Sequence, residues 1–170
     1  CGRRFALAWL AACLFAAPPA SAEPAPAFDF DDVRALAREL SQQAFQSPEK
    51  NVPEALLDLD YDAFRDIRFK PPRAIWREQG LPFQLQLFHL GLFFNRPVAI
   101  HLVENGAARS LDFDPTFFDY GRNQFSEPLP PDLGYAGLRV HSRINRKDYF
   151  DEVIVFVGAS YFRALGRDQG

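Results

Sequence analysis

Phe83-Gln84-Leu85-Gln86-Leu87 alternates apolar and polar residues one by one, and its reading decides the fold class. Successive side chains of a β-strand point to opposite faces. Phe83, Leu85 and Leu87 are therefore expected on one side and the two glutamines on the other. That is the pattern of a half-buried strand packed on a core through one face. Further strands are expected over residues 98–103, 108–113, 137–144 and 152–157. The last is nearly all apolar, as suits a strand in the middle of a sheet. Asn105-Gly106 falls between two of these runs, and both residues tolerate the left-handed backbone that a tight hairpin turn requires. Asp114-Pro115 and Leu129-Pro130-Pro131-Asp132 mark loops.

Before Pro71-Pro72 the period is different. Val33, Leu36, Ala37, Leu40 and Ala44 recur at the spacing of one helix face, with Asp29 and Asp31 placed to cap its start and Pro48 to end it. Pro53 suits the first position of a short helix through Leu57, and residues 61–67 suit another turn or two. No segment repeats at a fixed period. The expected fold is mainly β, with N-terminal helices leading into an antiparallel sheet or sandwich.

Composition narrows the class of protein. The 170 residues carry 19 Lys+Arg against 22 Asp+Glu, a net charge of −3, which is not the basic footprint of a nucleic-acid binder. With 48% hydrophobic and 24% charged residues the chain is globular rather than disordered. Aromatics reach 15%, including 18 Phe, as in a β-rich core or a sugar-facing cleft.

Residues 1–22 have the form of a secretory signal peptide. Arg3-Arg4 supplies the positive start, 5–17 the apolar run, and Ala20-Ser21-Ala22 the small residues of a cleavage site. The run is too short to span a bilayer as a helix, so no membrane insertion is expected after cleavage. Leu10-Ala11-Ala12-Cys13 resembles a lipobox, the competing reading, and lipidation of Cys13 would be seen in the intact mass. Residues 23–27, with Pro24 and Pro26, form an extended tether. Cleavage after Ala22 removes both cysteines and leaves a net charge of −5, a cysteine-free exported chain held together by its core alone. The absence of Met, the start at Cys1 and the abrupt end at Gly170 read as a fragment open at both ends.

Individual residues are less decisive. His89, His101 and His141 lack the spacing of a metal site and read as ordinary bonded histidines. Asp58-Leu59-Asp60-Tyr61-Asp62 imitates the start of a calcium loop, but Ala63 stands where Gly is needed and Phe69 where Glu is needed. No metal and no cofactor is expected. Asp112, Asp114, Asp119, Asp148, Asp151 and Glu152 lie in or beside loops, where solvation explains each of them. Trp76, Tyr120, Tyr135, Tyr149 and Tyr161 lie near Gly, Asn or charged residues and are the candidate sugar-stacking residues, with core packing as the competing role.

Whole phrases say more. Phe28-Asp29-Phe30-Asp31-Asp32-Val33, Leu59-Asp60-Tyr61-Asp62-Ala63-Phe64-Arg65-Asp66-Ile67-Arg68-Phe69, Pro82-Phe83-Gln84-Leu85-Gln86-Leu87-Phe88-His89-Leu90-Gly91, Asp132-Leu133-Gly134-Tyr135 and Gly158-Ala159-Ser160-Tyr161-Phe162-Arg163-Ala164-Leu165-Gly166 follow in order. This order resembles the N-terminal part of the periplasmic glucan biosynthesis proteins G and D, over residues 28–170. The resemblance implies the opening portion of a large galactose-mutarotase-like β-sandwich, with the rest of the sandwich and an immunoglobulin-like C-terminal domain lying outside this sequence. It implies a role with osmoregulated periplasmic glucans of β-1,2-linked backbone, in the periplasm of a Gram-negative bacterium. Some members look like endo-acting glucanases, whose acids are expected later in the sandwich, so no catalytic residue is assigned here. The implied partners are the β-glucan and the inner-membrane glucan synthase. A non-catalytic scaffold guiding nascent glucan is the alternative, and a generic assembly module a third. Arg3-Arg4 would suit the D type, but the sequence does not separate the two.

Overall fold

Residues 27–46, 52–158 and 160–169 are described by a computed structural model of the chain. The expected signal segment 1–22, most of the tether 23–27, and Pro48 lie outside the described residues. Asp29 caps helix α1 (Phe30–Ser41): its carboxylate accepts from the Asp31 and Asp32 amides, and Asp32 accepts from the Asp29 amide in return. The helix stops before Ala44, and its apolar stripe is left exposed, with Leu36 and Leu40 more than half open. Pro53 turns out to be the residue before helix α2 (Glu54–Leu57) rather than its first. Asp60 caps α3 (Tyr61–Asp66) by accepting from the Ala63 amide at 2.7 Å, which gives one aspartate of the calcium-like run a role in the fold.

Among the described residues eight strands follow in chain order: β1 (Arg68–Phe69), β2 (Phe83–Phe88), β3 (His101–Glu104), β4 (Ala107–Ser110), β5 (Phe118–Asp119), β6 (Gly137–Ser142), β7 (Asp151–Val157) and β8 (Tyr161–Ala164). The main sheet has the order β2-β6-β7-β8, every pair antiparallel, with β1–β5 and β3–β4 as separate ribbons. The expected apolar run 152–157 is indeed interior, flanked by β6 and β8. Asn105 and Gly106 have φ of 53° and 79°, the double left-handed turn that asparagine and glycine tolerate. The fold is mainly β, with short helices at the N-terminal end of the described residues, and is sandwich-like.

Three strands are shorter than the sequence implies: Val98 makes only an isolated bridge to Tyr135, β4 ends at Ser110 and β6 ends at Ser142. Strands β1, β5 and β8 are not read from the sequence at all, because two residues have no period and β8 is exposed throughout. The half-buried reading of β2 also needs correction. Its alternation is real, but both faces are covered, and Gln84 and Gln86 are 6% and 5% exposed.

Leu85 and Leu87 point into the core with Leu56, Leu90, Leu133 and Tyr135. Each such fully buried leucine contributes about 2 kcal/mol. His89 closes this core against Phe113, Phe118 and Tyr120, meeting all three rings edge to face. At Gly137 the strands β6 and β7 touch so closely that a Cβ would lie 2.1 Å from the Phe156 carbonyl oxygen. Among the described residues no helix is long and apolar enough to cross a membrane.

Candidate functional site

Strand register builds a polar surface on the sheet face opposite Leu85 and Leu87. Gln84 stands across from His141, and His141 across from Glu152. The next row runs Gln86, Arg139, Val155 and Arg163, and the one beyond it Phe88, Gly137, Val157 and Tyr161. A bulge between Val140 and His141 shifts the register and sets Glu152 beside His141. The face therefore changes from polar to apolar along the strands.

The polar rows floor a cleft of about 550 Å³, walled by Arg77, Asp148, Tyr149 and Phe150. Arg77 Nη1 donates to Gln84 Oε1 at 3.4 Å, and Gln86 Nε2 lies 3.1 Å from His141 Nδ1. The amide must donate in that contact, so His141 carries its own proton on Nε2. Burial, with the neighbouring Arg139 cation, lowers the His141 pKa and favours the neutral ring. Arg139 Nη1 donates to Glu152 Oε2 at 3.4 Å, and Arg163 Nη2 donates to the other oxygen of the same carboxylate. Gln86 Oε1 and Arg139 Nε are buried without a hydrogen-bond partner among the described residues. On the far side of Arg139 a second cavity of about 570 Å³ is mainly apolar, lined by Tyr61, Phe64, Phe88, Phe94 and Val157 among others.

The candidate aromatics fall in different places. Tyr149 lines the polar cleft, 54% exposed, with the Arg146 guanidinium 5.1 Å from its ring centre. Phe150 lies beside it under Arg143 at 3.9 Å. Tyr161 shares the sheet face but sits on β8, two strands away from β6, and is exposed. Trp76 lies in the turn before β2, packed against the core, and adopts φ of 69°. Tyr120 is half-buried, its hydroxyl 3.2 Å from His89 Nε2. Tyr135 is 1% exposed: its hydroxyl donates to the Asp112 carbonyl at 2.9 Å and accepts from the Asp114 amide at 3.0 Å. Burial pushes its pKa up to about 12. With no open ring face, Tyr135 serves the core in the described residues.

His89 is likewise structural. Nδ1 lies 2.5 Å from the Leu90 carbonyl oxygen and must donate, so Nε2 accepts from the Tyr120 hydroxyl. His101 is exposed on β3. Three of the six loop carboxylates hold backbone amides, Asp114 among them: Asp119 accepts from the Gly121 amide and Asp151 from the Asn145 amide. Asp114 accepts from the Thr116 amide and pairs with Arg73; these hold its carboxyl below the usual range although partial burial opposes them. Only Asp148 and Glu152 reach the cleft. Among the described residues no three His, Cys, Asp or Glu converge as a metal site.

Comparison with known proteins supplies the wider frame. The family described as "Periplasmic glucan biosynthesis protein, MdoG" matches residues 28–170. The chain belongs to this family. It is 49% identical to a Glucans biosynthesis protein G of Rhodopseudomonas palustris (strain BisA53), over 98% of this chain and 34% of that protein. It is 49% identical to the protein of the same name from Vibrio cholerae (strain O395), over 82% of this chain and 26% of the relative. Against the one from Ralstonia nicotianae the identity is 45%, over 88% and 30%. The chain thus spans about a third or less of the length of these relatives. Gln84, Gln86 and Arg139 are the cleft residues that sequence reasoning missed. The alternation gave the two glutamines one face, but their partner strand is set by a pairing more than fifty residues away.

Proposed function

We propose that, in the full-length protein, the polar cleft over β2, β6 and β7 is part of the surface that grips the β-1,2-linked backbone of a periplasmic glucan during its biosynthesis. The observation that carries this reading is the cleft itself: amide, imidazole and guanidinium groups converge on its floor beside Tyr149 and Phe150. Planar hydrogen-bonding groups next to aromatic faces match a ring with hydroxyls on its rim and C–H groups on its faces. Family membership and the relatives' name support the glucan as the ligand.

Chemistry on the glucan, by hydrolysis or transfer, needs two carboxyl groups across the scissile bond. In this cleft both Glu152 oxygens already accept from guanidinium groups, and Asp148 is exposed beside Arg146. That favours gripping over catalysis for these residues, and the catalytic pair, in the enzyme reading, comes from elsewhere in the sandwich. The same observation supports the second reading, a non-catalytic scaffold that passes nascent glucan onward from the inner-membrane synthase. Incubating the full-length protein with linear β-1,2-glucan and following chain length by chromatography separates the two. Shortened or transferred products are expected from the enzyme, unchanged polymer with measurable binding from the scaffold, and absence of binding overturns both.

A further inference from the structure

We propose that Gln86 and Arg139 form a subsite for one hydroxyl group of a neutral sugar ring, assembled at the expense of fold stability. The proposal deepens, and rests on, the reading of the polar cleft as a glucan-gripping face. Gln86 is 5% exposed, and its amide nitrogen is taken up by His141. Its oxygen is buried with no hydrogen-bond partner among the described residues. Turning the amide end for end would only transfer the deficit to nitrogen. Directly opposite in register, Arg139 spends Nη1 on Glu152 and leaves Nε buried and unpartnered. Buried polar atoms without partners are uncommon in native proteins, and each one costs stability. Here an acceptor and a donor occur on facing residues of one strand pair, both on the floor of one cleft.

The pair selects its ligand by chemistry. A hydroxyl group donates and accepts, so a single one completes both atoms. A carboxylate or phosphate oxygen satisfies only Arg139 and brings its charge against Gln86 Oε1 and the Glu152 carboxylate. An ammonium satisfies only Gln86 and opposes the Arg139 cation. The cleft lining carries Arg77 and Arg139 against Asp148 and Glu152, so it presents little unbalanced charge to attract an ion. Both orphaned atoms are closed to solvent, and the Arg139 guanidinium stands 5.4 Å from the Phe88 ring centre. A hydroxyl therefore reaches them when that guanidinium turns aside, a side-chain movement with no change of strand register.

The test uses the full-length protein, titrated calorimetrically with a linear β-1,2-gluco-oligosaccharide, alongside thermal unfolding. Gln86→Leu removes the orphaned oxygen. It is expected to weaken binding about tenfold while leaving the melting temperature unchanged or higher. A residue with a merely structural role would lower the melting temperature instead. Should the leucine variant fail to fold, Gln86→Met, closer in length, takes its place. Tyr149→Ala reports on the underlying reading. If it weakens binding and Gln86→Leu does not, the cleft stands and the hydroxyl subsite is refuted, its orphans then being served by a buried water. If neither variant weakens binding, the cleft reading itself fails. A carboxymethylated form of the same oligosaccharide bound as tightly as the neutral one would also overturn the proposal.

Discussion

Lowering the pH should destabilise the fold through His89, by an amount the structure sets. The ring is 4% exposed, donates from Nδ1 to the Leu90 carbonyl and accepts at Nε2 from Tyr120, all in the neutral form. Burial lowers its pKa from 6.5 to about 4, with the Leu90 hydrogen bond working the other way. The folded value lies below the unfolded one. The neutral ring's contribution is therefore complete above pH 6.5 and is lost as pH falls towards about 4. The linkage relation gives a loss of about 2 kcal/mol by pH 5 and about 3 kcal/mol by pH 4.

Other groups titrate in this range, His141 among them, so the informative quantity is a difference. His89→Phe keeps an aromatic ring among Phe113, Phe118 and Tyr120 but leaves the Leu90 carbonyl unpaired, which should cost about 2 kcal/mol at pH 7. The variant has no proton to take up at this position. Urea unfolding at pH 7 and at pH 5, followed by intrinsic fluorescence, should show wild type and variant converging by about 2 kcal/mol on acidification. Parallel stability curves across that range would refute the buried neutral histidine.

Gly137→Ala should cost about 3 kcal/mol or more, since the new Cβ would meet the Phe156 carbonyl oxygen at 2.1 Å and backbone cannot yield as a side chain does; chemical denaturation measures it. Leu90→Ala, at a site with no exposure, should cost about 2 to 5 kcal/mol in the same assay, with an unchanged sheet signal by circular dichroism. Tyr135→Phe removes the hydroxyl that joins Asp112 and Asp114 and should cost about 1 to 2 kcal/mol, with no effect on oligosaccharide affinity if Tyr135 is purely a core residue. The polypeptide 23–170 expressed alone should be poorly soluble, because β8 is an exposed outer strand with Phe162 70% open; a sharp, reversible thermal transition would refute this.

What could be read from the sequence follows from how local each cause is. The Asn105-Gly106 turn and the Asp29 cap are fixed by residues within a few positions, and both stand where they were expected. β2 was legible because its alternation spans five residues. Its burial on both faces was not, because His141 and Arg139 arrive from a strand more than fifty residues away. The same reason separates the candidate aromatics. Tyr135 and Tyr149 look alike in sequence, each near Gly or charged neighbours, yet one is clamped between Asp112 and Asp114 and the other stands at the cleft. Residue type announces an aromatic; only packing decides whether its face is free.

The polar cleft holds both a register shift and unpaired buried polar atoms. An extra residue in β7, Val153, shifts its pairing with β6 between Val140 and His141 and brings Glu152 alongside His141. The two orphaned atoms belong to Gln86 and Arg139 on the same floor. The core, by contrast, satisfies its buried polar groups: both His89 nitrogens are bonded, and Tyr135 uses its hydroxyl twice. A bulge and unpaired buried atoms each lower stability, and both lie on this floor. Selection for stability alone would replace Gln86 by an apolar residue, since the opposite face of β2 already carries Leu85 and Leu87 in the core. Retaining an amide there makes sense if something other than the fold completes its hydrogen bonds, and under the proposal above a sugar hydroxyl would complete both atoms at once.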